Sequence, residues 1–555
     1  MSVICNWYRQ SLFTLSFKSN HRSRSTINRF LLVIHIGFML ISCNSSPQNN
    51  RKQVFRYNSS TGITSLDPSF ARTQENIRAV NQLFNGLVQL DKHLNIKPGI
   101  AKSWSISDDS KVYTFNLRND VLFHNHHVFK NVPRKVTAFD FVYSFRRIVD
   151  PKTASDGAWI FNGIIDKTNA FSAINDTIFQ IRLIKPFTPL ISLLTMAYCY
   201  VVPQEGVDYF GDEFGKNPIG TGPFRFANYA EGVRLNLIKN EEYFESTKNS
   251  QYPKIDAISI SFIQSKQTEL LEFTQKKLDV FTGLESSFKD EILNANGELT
   301  DKYSSSIDLK KVPFLNTEYL AFNTIKENSP VQDRLFRQAI SLAVDRESMI
   351  KYLRNGVGTP ANGGFTPIGL PAYQQFKEPA FNIGKANKLL VKSNVKINKP
   401  LKLTTTKDYL DLCVLVQKNL ADIGVPLKID VVPSSLLKQQ KSSGDLAFFR
   451  SSWIADYPDG ENYMACFYSK NKAPNGPNYT LFSNPLFDEL YESLLSESDE
   501  KKKKLLFQEM EEILKYESPF VLLFYDQSIW LHSKRTKNLN VNSLNHLDLR
   551  EVEIN

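Results

Sequence analysis

The stretch FFRSSWIADYPDGENY (residues 448–463) places one arginine and one aspartate six positions apart in a segment that is otherwise mostly aromatic, small or aliphatic. Because a charge in apolar surroundings must be paired or neutralised, Arg450 and Asp456 bind each other, bind other side chains or bind a ligand. If the segment is extended, residues 450, 452, 454 and 456 share one face, and the two charges lie roughly 20 Å apart at about 3.3 Å per residue. They cannot then meet. Two interpretations remain: structural ion pairs with other residues, or a short extended peptide whose ammonium and carboxylate match the two charges.

The composition is that of a globular protein with several domains. The chain has 555 residues, of which 42% are hydrophobic and 22% charged, and this length predicts two to four domains. The net charge of +10 suggests a nucleic acid or an anionic surface as partner, but half of it comes from five basic residues in the first 43. Without a basic cluster among aromatic residues, the rest of the chain does not favour nucleic-acid binding.

The N-terminus has the features of an export signal. A basic, Ser-rich leader precedes FLLVIHIGFMLI (residues 30–41), which is too short to span a bilayer. The sequence Leu40-Ile41-Ser42-Cys43 then precedes a polar run and resembles a bacterial lipobox, in which the cysteine is acylated and becomes the new N-terminus. Residues 1–43 are therefore predicted to be a lipoprotein signal peptide, and Cys43 the lipid anchor. The alternative is an ordinary secretory peptide with a chance cysteine.

The other cysteines and the histidines give weaker signals. Cys199, Cys413 and Cys466 form no CxxC motif and no disulfide framework, although one bridge with one thiol left over is possible. Three histidines in FHNHHVF (residues 123–129) could ligate nickel, copper or zinc. Asp120 is the one carboxylate within six residues of them, no cysteine is that near, and such clusters in polar turns are usually only exposed. No metal site is predicted.

Catalytic motifs are missing from the sequence. There is no GxSxG, HExxH or Walker signature. GTGP (residues 220–223) resembles the start of a phosphate-binding loop, but no Lys-Ser/Thr follows, so a turn is favoured. Asp456 and Asp459 form an acid pair without a third acid or a positioned histidine. The lysine run at 501–504 fits the solvated face of an amphipathic helix. We therefore predict that the protein is not an enzyme and needs no cofactor.

Strand and helix patterns alternate in the second half of the chain. Helical spacing in residues 334–354 is followed by the strand pattern LKLTTT (401–406), the helical pattern 410–424 and the strand pattern PLKIDVV (426–432). Such alternation predicts α/β lobes.

Several segments in a fixed order together resemble the family 5 solute-binding proteins of ABC importers, above all the oligopeptide-binding members. The segments are SLDPSFARTQENI (65–77), LFNGLVQLD (83–91), YTFNLRNDVLFH (113–124), VTAFDFVYSFRRIVDPKTAS (136–155), NPIGTGPFRFANY (217–229), FRQAISLAVDRESMI (336–350) and WIADYPD (453–459). The resemblance covers roughly residues 60 to 530. It implies an α/β fold like that of type II periplasmic binding proteins, with two main lobes joined by a hinge and a third lobe.

The resemblance also implies domain boundaries. Lobe I would be discontinuous and the extra lobe would be inserted into it, while lobe III would grip the ligand from the other side. The implied ranges are 44–85, 207–345 and 523–555 for lobe I, 86–206 for the extra lobe, and 346–522 for lobe III.

The same resemblance assigns the binding residues. Asp456 would pair with the ammonium of a peptide, and Arg450 would meet its carboxylate for some ligand lengths. Trp453 would wall a side-chain pocket. Backbone groups near Ser452, Ile454 and Gln74 would pair with the peptide main chain, so that specificity is broad. Ser452 stands where a glycine is common, and the insertion VFKNVPRK (128–135) replaces a short Asp-Gly turn; both departures put ligand size in doubt.

These observations predict an extracytoplasmic lipoprotein, in the periplasm or on the outer cell surface, that captures short peptides and delivers them to an ABC permease and its ATPase subunits. It is expected to be a monomer, tethered to the membrane through Cys43. The same fold with nickel, haem or an oligosaccharide as ligand is the first alternative. A secreted hydrolase or a surface adhesin is the second.

Overall fold

The computed structural model describes residues 52–247, 250–284, 289–376, 381–393 and 395–555. The predicted signal peptide and Cys43 lie outside these residues, so both stay predictions. Within the described residues, every helix is too short or too polar to cross a membrane. Cys199, Cys413 and Cys466 are buried free thiols, so no disulfide joins them.

The strands and helices follow from local sequence patterns. In the segment VYTFNL, alternate side chains are buried, as expected of a strand with one covered face. In RLFRQAISLA, Phe336, Ala339, Ile340 and Ala343 are buried at helical spacing, and the carboxylate of Asp333 caps the helix by accepting the N–H of Phe336.

The strands are β1 Val54–Asn58, β2 Val88–Leu90, β3 Ile96–Pro98, β4 Ala101–Ile106, β5 Val112–Leu117, β6 Phe171–Asn175, β7 Ile178–Arg182, β8 Phe224–Ala230, β9 Arg234–Lys239, β10 Ala257–Ser261, β11 Val280–Thr282, β12 Ile307–Phe322, β13 Thr359–Pro360, β14 Leu401–Thr405, β15 Leu427–Val431, β16 Phe448–Ile454, β17 Phe520–Ser533, β18 Thr536–Lys537, β19 Asn540–Val541, β20 Leu547–Asp548 and β21 Glu553–Ile554. The α-helices are α1 Gln74–Leu83, α2 Ala138–Val149, α3 Leu190–Leu193, α4 Gln204–Phe210, α5 Lys266–Thr274, α6 Lys289–Ile292, α7 Asp301–Ser304, α8 Arg334–Ala343, α9 Arg346–Ser348, α10 Ile383–Ser393, α11 Leu410–Ala421, α12 Ser434–Ser442, α13 Glu461–Met464, α14 Pro485–Ser496 and α15 Glu500–Glu517.

Two four-stranded sheets and one seven-stranded sheet carry the fold. The first has the order β1-β10-β9-β8, and the second has the order β4-β5-β7-β6. The largest has the order β11-β17-β12-β16-β14-β15, with β13 added beside β17. This mixture of parallel and antiparallel strands with covering helices confirms the predicted α/β fold class.

The two smaller sheets share one hydrophobic core. Phe55 and Ile258 of the first sheet belong to the same buried cluster as Tyr113, Phe115 and Phe179 of the second. Because protein cores are closely packed, we expect these two sheets to move together. The predicted extra lobe is therefore firmly attached to the β1-β10-β9-β8 sheet of predicted lobe I.

Strands β12 and β17 are the longest strands of the seven-stranded sheet, with 16 and 14 residues. Their pairing shifts register between Pro313 and Thr317, and only the residues after this irregularity pair with β16. Helix α8 packs with the strands on that side, since Phe336 and Ile340 share a cluster with Leu403. The predicted lobe boundaries stay predictions, and the packing groups residues 334–343 with β14 of predicted lobe III.

A buried ion pair ties the N-terminal segment to helix α2. Arg147 Nη1 donates to Asp67 Oδ1 at 2.8 Å, and their side chains are 12% and 4% exposed. Arg147→Ala should lower the free energy of unfolding by about 3–5 kcal/mol, because it leaves a buried carboxylate unpaired. Urea unfolding measures this loss. Arg146→Ala, on the exposed side of the same helix, should change stability by less than about 0.5 kcal/mol; equal effects would contradict the assignment.

Candidate functional site

One edge of strand β16 pairs with β12; within the described residues, the other edge pairs with β14 at one position and is otherwise open. Ala455 N–H donates to the Leu315 carbonyl at 2.9 Å, and Asn323 N–H donates to the Ala447 carbonyl at 2.9 Å. In an antiparallel ladder the residues alternate, so odd-numbered residues of β16 turn their backbone groups toward β12, and Ser452 and Ile454 turn theirs away. Strand β14 meets β16 only at Phe449. The backbone N–H and C=O groups of Ser452 and Ile454 therefore face an unpaired sheet edge.

Asp456 lies just beyond this open edge. Its side chain is exposed to solvent, yet burial by surrounding protein atoms raises the pKa of its carboxyl, with the Asn462 side chain acting in the opposite direction. A carboxylate that is open to solvent on one side and surrounded by protein atoms on the others is typical of a concave surface, which we take as the candidate cleft. Within the described residues, no lysine, arginine or histidine forms an ion pair with it. Asp456 is therefore a carboxylate that lacks a cation.

The segment around Asp456 is held rigidly. Asn462 Oδ1 accepts the Trp453 indole N–H at 2.9 Å and, less closely, the Asp456 N–H at 3.4 Å. The hydroxyl of Tyr463 donates to the Leu315 carbonyl at 2.8 Å, which also accepts the Ala455 N–H. These bonds fix Asp456 relative to the irregular part of β12.

A tyrosine of the predicted extra lobe interacts electrostatically with the same carboxylate. Tyr198 is buried, which raises its pKa, and the charges of Asp156 and Asp456 raise this pKa further while Arg72 lowers it. Arg72 and Asp156 form an exposed ion pair at 3.7 Å. Tyr198 packs directly on Gly157, where a Cβ would lie 2.5 Å from the ring. Trp159, two residues after Gly157, has its ring 6.4 Å from the ring of Tyr457, which follows Asp456. The segment on which Tyr198 packs therefore borders this site.

Arg450 is bound to a residue that the sequence did not indicate. Its Nη2 donates to Glu318 Oε1 at 2.7 Å, and its Nε donates to Glu318 Oε2 at 3.1 Å. The guanidinium carbon lies 3.3 Å from the centre of the Tyr409 ring. Burial lowers the pKa of Arg450, but the interactions with Glu318 and Tyr409 together outweigh this effect, so the pKa is raised. Arg450 and Asp456 do not pair with each other, and Arg450 already has a carboxylate partner.

This ion pair belongs to a longer polar network. Asn316 Nδ2 donates to Glu318 Oε1 at 3.0 Å and to Asp526 Oδ2 at 3.4 Å. Asp526 in turn pairs with Arg354 at 2.5 Å. Two acids and two arginines therefore neutralise one another across β12, β16 and β17.

Comparison with known proteins identifies the family. The family model described as "Bacterial extracellular solute-binding proteins, family 5 Middle" matches residues 95–475. The chain belongs to this family.

Its relatives include several peptide-binding proteins. The dipeptide-binding protein DppE of Bacillus subtilis is 23% identical over 94% of this chain and 98% of its own length. The oligopeptide-binding protein OppA of Salmonella typhimurium is 26% identical over 85% of this chain and 87% of its own length. The periplasmic binding protein DppA of Helicobacter pylori, solved with the peptide STSA, has a TM-score of 0.72 and 25% identity over 91% of this chain and 98% of that one.

One structural neighbour has a different ligand. NikZ of Campylobacter jejuni, solved with Ni(L-His), has a TM-score of 0.69 and 21% identity over 89% of this chain and 96% of that chain. At this identity the match supports the shared fold alone. Within the described residues, no group of three or more histidine, cysteine or acidic side chains could hold a metal ion.

The three histidines His124, His126 and His127 make structural contacts in the fold. His124 is buried between two backbone groups, with Nε2 3.0 Å from the Gly222 carbonyl and Nδ1 accepting the Gly220 N–H at 3.3 Å. The rings of His126 and His127 contact each other at a tilt of 38°, with centres 4.2 Å apart. The Gly-Thr-Gly segment packs so closely on α1 that a Cβ at residue 220 would lie 1.9 Å from a backbone oxygen. It is a packed turn, as the sequence favoured.

The remaining predicted residues have mixed surroundings. Trp453 is half-buried against the cluster around Phe365 and Phe467. Ile454 is 49% exposed, and Ser452 lies opposite Glu318 in the ladder. Gln74 begins helix α1, but its side-chain amide donates to the Asn545 carbonyl at 3.0 Å.

Two well-formed cavities lie elsewhere. A cavity of about 340 Å³ borders the end of α1 and the C-terminal strands, and one of about 320 Å³ borders α8 and α15. No residue of 448–463 lines either cavity. The cleft at Asp456 is open rather than enclosed, so its candidacy rests on the chemistry of its walls.

Sequence reasoning missed the partners that come from distant segments. Glu318 is 132 positions from Arg450, and Tyr198 is far from Asp456 in sequence, so no local pattern could have linked them. Asn462 lies six positions after Asp456. Its polarity within a segment rich in aromatic residues was the one signal that could have found it.

Glu461 is a second buried acid next to this site. Its two oxygens accept the hydroxyls of Tyr457 and Tyr491. Burial raises its pKa to about 7, although the two hydroxyls lower it; the charge of Asp459 raises it further.

The raised pKa of Glu461 predicts a pH effect. The folded protein keeps this proton up to about pH 7, whereas the unfolded chain releases it near 4.5. Stability from this group is therefore present below pH 4.5 and lost as pH rises to about 7. Between pH 5 and pH 8, the free energy of unfolding of the original protein should fall by up to about 3 kcal/mol because of this group. Glu461→Gln should lack this fall, as measured by denaturant unfolding at the two pH values. The control is Glu489→Gln on the exposed face of α14; an unchanged slope in Glu461→Gln would contradict the shift.

The Arg450 and Glu318 pair predicts non-additive mutations. Arg450→Met alone should lower the free energy of unfolding by about 3–5 kcal/mol, because Glu318 is left buried without a cation. Arg450→Met combined with Glu318→Met should recover most of this loss. Urea unfolding of both variants gives the coupling, and additive losses would show that the two side chains act independently.

Proposed function

We propose that this protein is the extracytoplasmic substrate-binding lipoprotein of an ABC importer, which captures short peptides between its lobes and delivers them to a membrane permease. The observation that carries the proposal is the open edge of β16, which ends at a carboxylate without a cation. The peptide-binding relatives support it. The family consists of binding proteins, and no chemical step is assigned to the Asp456 and Asp459 pair.

An extended peptide fits this edge in one direction. Its ammonium pairs with Asp456, and its first main-chain groups bond to the N–H and C=O groups of Ser452 and Ile454, as in strand addition. Trp453 borders the space for a side chain, and α1 near Gln74 approaches from the other lobe. Main-chain bonds do not read side chains, so the ligand is selected by its free N-terminus and extended shape.

The carboxylate end is held more weakly. Arg450 is the proposed partner for the ligand carboxylate at one ligand length. Because Glu318 already neutralises most of its charge, Arg450 contributes less affinity than Asp456 does. We therefore expect the protein to bind peptides of several lengths but to bind a peptide with a blocked N-terminus weakly.

The partners and the location follow from the family. The permease and its ATPase subunits would supply the energy for transport, and the lipid on Cys43 would keep the receptor at the membrane. The receptor is proposed to act as a monomer.

Native mass spectrometry of residues 44–555 tests the ligand class. Gentle purification followed by denaturation should release a ladder of short peptides of narrow length and mixed sequence. A released metal, haem or sugar would favour the alternative ligands, to which the nickel-bound neighbour draws attention. Turnover of an added peptide would overturn the assignment as a binding protein.

The Asp456 assignment has a sharper test. Asp456→Asn should weaken binding of an unmodified peptide about tenfold to a hundredfold, since a charge-assisted bond is worth about 1.5–3 kcal/mol. An N-acetylated version of the same peptide should bind the original protein weakly and lose nothing further in the variant. Calorimetry with both ligands gives the comparison. Asp422→Asn, an exposed change on the same predicted lobe, is the control; an equal loss for the acetylated peptide would contradict the ammonium contact.

A further inference from the structure

Tyr457, which directly follows Asp456, is buried in a core that belongs to the other side of the cleft. It is 4% exposed and is a member of the hydrophobic cluster that unites the two four-stranded sheets. Within the described residues, it is the one member of that cluster between residues 313 and 529. One aromatic side chain of predicted lobe III thus inserts into the core shared by the first two sheets.

The receiving surface comes from the extra lobe. The rings of Trp159 and Tyr457 lie 6.4 Å apart at 30°, a distance at which aromatic rings attract one another. Trp159 is 40% exposed, so it lies at the rim of the contact. Trp159 lies two residues after Gly157, on which Tyr198 packs. The charge of Asp456 contributes to the raised pKa of Tyr198.

Two polar contacts flank the inserted ring. The Ser192 hydroxyl donates to Asp459 Oδ2 at 3.4 Å. The Thr188 N–H donates to the Leu495 carbonyl at 2.8 Å. Both bonds join the extra lobe to predicted lobe III, and both would break if the cleft opened by rotation about β12 and β17.

On the lobe III side of the contact, hydrogen bonds to Glu461 hold Tyr457 and Asp459. The Tyr457 hydroxyl donates to Glu461, and Glu461 N–H donates to Asp459 Oδ1 at 3.0 Å. Tyr457 and Asp459 therefore move with the same short helix that carries Asn462, the residue that also holds Asp456.

We infer that Tyr457, with Trp159, Thr188 and Ser192 of the extra lobe, is a latch that closes the cleft over a ligand whose ammonium is bound at Asp456. This inference rests on the proposed peptide-binding function. Asp456 and Tyr457 are adjacent in one rigid segment, so a ligand that draws Asp456 toward the opposite wall also seats the ring of Tyr457. The extra lobe then acts as the surface that determines how long the ligand is retained.

A reversible crosslink tests whether the contact opens during binding. A bonded N–H and C=O place their Cα atoms near the separation of roughly 4.4–6.8 Å that a disulfide needs, so Thr188→Cys with Leu495→Cys should form one. In residues 44–555 the native thiols are Cys199, Cys413 and Cys466, which are buried, so the new pair is the accessible one. In the oxidised variant, exchange of a fluorescent peptide should slow at least tenfold, and a reductant should restore it. Unchanged exchange in a variant shown by mass spectrometry to be crosslinked would overturn the latch.

A second variant weakens the latch without touching the ligand. Trp159→Ala should raise the peptide dissociation rate about tenfold and leave the association rate within a factor of two, because the ring acts only after closure. Phe139→Ala removes another exposed aromatic ring, 56% accessible, from α2 of the same lobe and should change neither rate. Equal dissociation rates for Trp159→Ala and the original protein would contradict the latch.

Failure of the proposed function can be told apart from failure of the latch. If the original protein binds no peptide, small-angle scattering replaces the exchange assay. A latch then still requires that the reduced double-cysteine variant have a larger radius of gyration than the oxidised one. Equal radii would overturn the latch, whereas a difference would support it and leave only the ligand class to be reassigned.

Discussion

The antiparallel pairing of β16 with β12 is the constraint on which the site depends. It determines which backbone groups of β16 face β12 and which face the open edge, and through the Leu315 carbonyl it fixes the segment that follows the strand. A shift of one residue would turn Ser452 and Ile454 toward β12 and bury their hydrogen-bonding groups. Arg450 would then leave Glu318, and two buried charges would lose their partners. The register and the ion pair therefore enforce each other.

The fold class was predictable because it rests on local patterns. The buried face of α8 and the alternation in β5 can both be recognised in the sequence, and the order of the family's segments supplied the topology. The lobe boundaries were harder to place, since β12 and β17 are continuous strands that serve both sides of the cleft. A sequence carries no mark at the point where such a strand passes from one body to another.

The site was predictable in part for the same reason. The spacing of Arg450 and Asp456 excluded a pair between them, and the structure agrees. The partner of Arg450 could not be foreseen, because cross-strand neighbours such as Glu318 are set by sheet register and not by sequence distance. The three histidines show the converse case, in which nearby polar residues are separated by the fold: His124 is buried against a turn while the rings of His126 and His127 contact each other at the surface.

The unequal state of the two charges gives the cleft a direction. Within the described residues, Asp456 has no cationic partner and can bind the ammonium of a ligand, whereas the charge of Arg450 is largely neutralised by Glu318. Such a cleft positions every ligand by its first residue, and the length of the ligand is limited only by the space that remains beyond it. Residues that line the far end can then vary from one family member to another, and the size range of the cargo can change while the means of capture stays the same.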